Sequence, residues 1–188
     1  MQTVGDASHY CFMSNIGHTD LPRYWSPYYL GGQNTLTQRN DGVADILERE
    51  TKTSIASWLS RIDAEPDIIT VLLSAEDRCA HLPEMFRDIV NRLRNPLPLG
   101  TRALMSDAAH DHGCVRREQG YTAAMLVEES RMLQVSIFST LQRNISELDS
   151  RAVLGDVMII ADEVDSQLAQ TMSSYIFEAN SEAQAIEP

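Results

Sequence analysis

From Asp41 onward, apolar residues recur at the three- and four-residue spacing of a helix almost throughout. That spacing lays one face of an α-helix against a core and leaves little from which a sheet could be built. Val43, Ile46, Leu47, Ile55, Trp58, Leu59 and Ile62 share such a face, which predicts one amphipathic helix over about 43–63. After Pro66, the run Ile68, Ile69, Val71, Leu72, Leu73 fits a strand or a short helix. No second strand candidate exists to pair with it, so helix is expected. Ser74 with Asp77 reads as a capped helix start, and Pro83 as the opening of a helix through Phe86, Ile89, Val90 and Leu93. "NPLPLG" is the clearest connector, because proline cannot continue a helix. Thr101 is expected to cap the next helix and Gly120 to close it. Thr122 then suits an N-cap, flanked by Tyr121 and Leu126 at the two hydrophobic-staple positions, for a helix to about Leu148. A last helix is expected from about Arg151 to Phe177, with Val153, Val157, Ile160, Val164, Leu168, Thr171 and Tyr175 on one stripe. It would be about 40 Å long. The expected fold is an all-α multi-helix bundle with a long C-terminal helix.

Residues 1–40 break the pattern. They carry six of the twelve aromatic residues and no helical period, which reads as an irregular aromatic-rich arm ahead of a helical domain over 41–180 and a tail at 181–188. A net charge of −12 leaves nothing to neutralise a run of phosphates and excludes nucleic acid as a partner. It also disfavours an anionic membrane surface, and no apolar run approaches a bilayer span. Three cysteines without a CxxC pair, and no basic-then-apolar leader, fit a reducing, cytoplasmic setting. Nine acids against one base between Glu147 and Glu187 read as a solvated acidic helix face.

The chemistry concentrates in "HDHGCVRREQGY", residues 110–121. At about 100° per residue, Thr101, Met105, Ala108, His112, Arg116 and Gln119 fall on one stripe, apolar at first and polar toward its end. His110 lies on the other side with Asp107, Cys114 and Arg117, so the two histidines do not chelate together. A metal-dependent enzyme using Asp107, His110 and Cys114 is the weakest alternative, and no metal or cofactor is expected. His112, Arg116 and Gln119 should face inward, where a buried cation needs an anion. The tight "QGYT" turn folds the following helix back and brings Glu129 toward them. His112, Arg116, Gln119, Tyr121 and Glu129 therefore form either a buried polar latch or a ligand-sensing crevice. No nucleophile with an adjacent base can be assembled from spacing, so no enzyme activity is expected.

The run "HGCVRREQGYTAAMLVEESRMLQ" resembles the N-terminal, RsbRD-type domain of RsbT co-antagonist proteins, with related input domains in sensor histidine kinases. The shared pattern is carried by His112, Gly113, Arg116, Gln119, Gly120, Tyr121, Leu126, Val127, Glu129 and Leu133. "LPEMFRDIVNRLR" (82–94) and Asp162 look similar as well. Gln134 departs from the arginine that the pattern carries there, and the arm has no counterpart. The resemblance covers about 41–180. It implies a cytoplasmic stress-response or two-component signal-input domain that dimerises, has no chemistry of its own and acts on a signalling protein partner. It also implies a bundle similar to a globin without haem; a simple up-and-down array fits the helices equally well. The alternative is a small-ligand or haem-binding sensor centred on His112 and Arg116. The stripe of the last helix suits either pairing in a homodimer or packing within its own bundle.

Overall fold

A computed structural model describes residues 42–101 and 105–186, with side chains described through Asn180; the arm over 1–40 lies outside the described residues. The described chain is helical without a strand: α1 (Gly42–Arg49), α2 (Thr51–Ile62), α3 (Ala75–Cys79), α4 (Leu82–Arg94), α5 (Asp107–Glu118), α6 (Ala123–Arg143) and α7 (Val153–Ile186), with short 3₁₀ turns at Ile68–Thr70 and Ile145–Glu147. α4, α5 and α6 pack along α7, while α1 and α2 close the bundle against α4 and α6. Trp58, Phe86, Ile89, Leu133, Ile137 and Ile160 fill the centre. No helix among the described residues is long and apolar enough to cross a membrane.

Several boundaries differ from the sequence expectations. The helix expected over 43–63 is kinked at Glu50 into α1 and α2. Thr51 Oγ1 donates back to the Leu47 carbonyl (2.8 Å), a contact that bends helices, while Glu50 N and Ser54 N keep their i−4 bonds. The segment 68–73 manages a single 3₁₀ turn; Ile68 anchors it in the core and Leu72 points to solvent, 93% exposed. α6 stops at Arg143 rather than near Leu148, and the 3₁₀ turn takes up the remainder. α7 runs past Phe177 to Ile186, through most of the expected tail.

The capping chemistry decides the other ends. Ser74 Oγ accepts from Asp77 N (3.0 Å), proline sits in the first turn of α4, and Thr122 Oγ1 accepts from Met125 N. Gly120 adopts φ +84°, the left-handed conformation that ends α5 and that a side chain would resist. α5 begins at Asp107, not at Thr101: Ser106 is its N-cap, and its hydroxyl accepts from Ala109 N (3.1 Å) while donating to Asp88 (2.6 Å).

α5 and α7 share the most extensive helix–helix contact among the described elements, and Gly113 sits within it. A β-carbon there would fall well inside van der Waals distance of Ser174 Oγ and the Thr171 carbonyl. Two α7 hydroxyls exploit the approach: Thr171 Oγ1 donates to the Ala109 carbonyl (2.9 Å) and Ser174 Oγ to the His110 carbonyl (2.8 Å). Gly113→Ala should cost about 3 kcal/mol through overpacking against backbone. Gly155→Ala, on α7 with open space around it, should be neutral or slightly stabilising. Calorimetric melting temperatures of the two variants check the contrast.

Candidate functional site

The sequence-predicted residues converge on one buried carboxylate. α5 ends in a turn that delivers His112 and Arg116 to the face of α6 carrying Glu129. Glu129 is 3% exposed and Arg116 fully buried. Arg116 Nε donates to Glu129 Oε2 (3.0 Å), and His112 Nε2 lies 3.2 Å from the same oxygen. With Glu129 ionised, the imidazole must donate from Nε2. The remaining guanidinium nitrogens are also occupied. One NH group donates to Gln119 Oε1 (2.7 Å) and the other to the Arg78 carbonyl (2.6 Å) near the C-terminal end of α3, where helical carbonyls lack partners of their own. The guanidinium also stacks over the Tyr121 ring, 4.8 Å from its centroid.

An outer ring of contacts fixes this core. Trp58 of α2 donates its indole N–H to the Glu129 carbonyl (3.0 Å). Arg78 donates to the Tyr121 hydroxyl (2.7 Å) and to the Val71 carbonyl (3.0 Å). Tyr175 of α7 donates its hydroxyl to the Tyr121 carbonyl (2.8 Å), tying the last helix to the "QGYT" turn. Elements α2, α3, α5, α6 and α7 all meet within this network. His81 stands edge-on to His112 with centroids 5.7 Å apart.

Electrostatics follow from burial and pairing. Burial pushes the Glu129 carboxyl up, but the His112 hydrogen bond and the Arg116 charge outweigh it and hold the group below the usual carboxylate range. Burial raises Tyr121 to about 12 and lowers His81. It also raises the half-buried thiols of Cys79 and Cys114. The cavity beside His112 and Glu129 measures about 20 Å³, room for a single water-sized group. His112 Nδ1 and Glu129 Oε1 are buried without hydrogen-bond partners.

His112, Arg116, Gln119, Tyr121 and Glu129 are thus brought together in one buried polar cluster, as either a latch or a ligand crevice requires. Thr101 and Met105 do not join them, because α5 starts after both; Met105 is 71% exposed. Asp107 and His110 face solvent and Cys114 is half-buried; among the described residues no three His, Cys, Asp or Glu side chains are grouped to hold a metal ion. Sequence reasoning missed Trp58, Arg78 and His81. Trp58 was legible as core but not as a donor, although a buried indole N–H regularly needs an acceptor. Arg78 lies on a five-residue helix, too short to show a period.

Comparison with family models, with curated proteins and with solved structures finds no match to this chain.

Glu129→Gln should cost about 3–5 kcal/mol at neutral pH, because Arg116 would be left buried without its anion. The sign of the pH dependence follows from the depressed carboxyl: its contribution is present above the unfolded value of 4.5 and is lost as pH falls through the lower folded value. Chemical denaturation across pH 3–7 should therefore show the gap between wild type and variant closing only on the acid side.

Proposed function

We propose that this chain is a non-enzymatic signal-input or regulatory domain of the kind its RsbRD-like pattern implies. It would pair with a second copy through α7 and pass a change in its bundle to a signalling partner. The observation that carries this reading is a second, outward stripe on α7. Leu154, Met158, Ala161, Asp165, Ala169, Met172 and Ile176 follow one another at spacings of four, three and four, then four, three and four again. At helical pitch they lie within about 80° of one another along about 33 Å. Leu154, Met158 and Ile176 are at least half exposed, an expensive arrangement for a lone helix.

The stripe is size-symmetric about Asp165. In either direction it runs alanine, methionine, then leucine or isoleucine. An antiparallel pair with its two-fold axis at Asp165 would set Ala161 against Ala169, Met158 against Met172 and Leu154 against Ile176. Such an isologous contact, in which each residue meets its own size class, suits a second copy of the chain. The eleven-residue repeat matches helices packed with little or right-handed supercoil. The inner face of the same helix carries Thr171, Ser174 and Tyr175, which hold α5 and the latch turn. A displacement of α5 would therefore move the pairing helix. The raised thiols and the commitment of Arg116 to Glu129, Gln119 and the Arg78 carbonyl support a role without catalysis.

Sedimentation over a wide concentration range should show a monomer–dimer equilibrium. Leu154→Glu with Ile176→Glu should abolish it with little change in melting temperature, because both side chains face solvent. Asp165→Asn, removing two like charges at the axis, should tighten it. A strict monomer at high concentration in every variant would sink the dimer reading.

A further inference from the structure

A second set of buried polar atoms without hydrogen-bond partners lies away from the latch, at a cleft of about 310 Å³ between α4 and α7. Its walls include Arg92, Glu163, Asp88 and Asn91, with Leu97 and Met105 as its apolar side. Arg92 and Glu163 are each only 3% exposed, which for charged side chains normally requires full pairing. Neither is fully paired. Arg92 donates one NH₂ to Asp162 Oδ2 (3.0 Å), yet its Nε and other NH₂ have no hydrogen-bond partner. Glu163 Oε1 accepts from Gln167 (3.2 Å), while Oε2 has no hydrogen-bond partner and forms only a long ion pair with Arg92 Nε (3.9 Å), beyond hydrogen-bond reach.

The charges around the cleft define what would complete it. Asp162 is committed, accepting from Arg92 and from Gly100 N (2.9 Å). That leaves Arg92 with donors to spare, and Glu163 and Asp88 as surplus acceptors; Asp88 has one oxygen engaged by Ser106. A bare anion would face two carboxylates, and a bare cation would leave the Arg92 donors unmet. A compact molecule carrying both a cationic and an anionic group on neighbouring atoms satisfies both, and an aliphatic substituent would lie along Leu97 and Met105.

We propose that this cleft binds a free α-amino acid with an aliphatic side chain, its carboxylate held by Arg92 and its ammonium by Glu163 and Asp88. The site is separate from the latch and does not depend on the pairing of α7. Ligand entry would engage α4 and α7 together, at residues one turn from the inward Gln167, whose amide also donates to the Met85 carbonyl of α4 (3.1 Å).

Isothermal titration of the full chain with L-leucine, L-valine and L-alanine tests the proposal. At least one should bind with a dissociation constant below about 1 mM. The matching amines without a carboxylate, and the matching carboxylic acids without an amine, should bind at least tenfold more weakly. Glu163→Gln should lose at least tenfold in affinity while keeping or raising the melting temperature, since it removes a buried, incompletely paired charge. Asp88→Asn should weaken binding in the same direction. No binding of any amino acid at millimolar concentration overturns the proposal, as does equal binding of an amine or acid alone, or unchanged affinity in Glu163→Gln. Sedimentation of the same variants keeps the outcome distinct from that of the dimer reading, which predicts no change in them.

Discussion

A single ionised carboxylate placed at the centre of a helical bundle sets the terms for the rest of this structure. Glu129 could not remain charged at 3% exposure without compensation, and the compensation comes from another helix. Arg116 supplies the charge and His112 a second donor, so α5 must lie across α6 in one register. Arg116 in turn has more donors than Glu129 can accept, and the surplus reaches Gln119 and the end of α3. Each satisfied group recruits the next element. Pairs of this kind add little net stability over an apolar core, but breaking one partner is costly because it leaves an uncompensated buried charge.

α7 completes the bundle by a different means. Where the latch uses charge, the α5–α7 contact uses the missing side chain of Gly113, which lets two hydroxyls reach carbonyls of the opposing helix. Tyr175 then joins this contact to the latch turn through the Tyr121 carbonyl. A helix held so firmly on its inner face can carry an apolar stripe on its outer face without collapsing inward. The same mechanical continuity would let a small molecule between α4 and α7, or a change at α5, reach a partner on the outer face.

Much of this was legible in residue spacing. The all-helical fold followed from the three-to-four period, and the convergence of His112, Arg116 and Glu129 followed from a stripe plus a tight turn closed by Gly120. Local competition escaped the period. Thr51 bonds backward and kinks a helix that the apolar pattern treats as continuous. Ser106, five residues beyond the expected Thr101, takes the cap because its hydroxyl also meets Asp88 and its N–H meets Gln170. Glu163 and Gln167 share the inward side of α7 with Ile160 and Val164, and only packing against Arg92 and Met85 distinguishes them from solvated polar residues. Long-range polar partners of this sort have no sequence period at all, which is why the latch was half visible and the cleft was not.

The central claim is that Arg116 and Glu129 are energetically one unit. A double-mutant cycle combining Arg116→Met with Glu129→Gln, read by chemical denaturation at neutral pH, measures that directly. The predicted result is a coupling energy above about 2 kcal/mol, with the double variant more stable than the sum of the single losses allows. A coupling within about 0.5 kcal/mol of zero would contradict it, and with it the idea that this buried pair sets the register of the bundle.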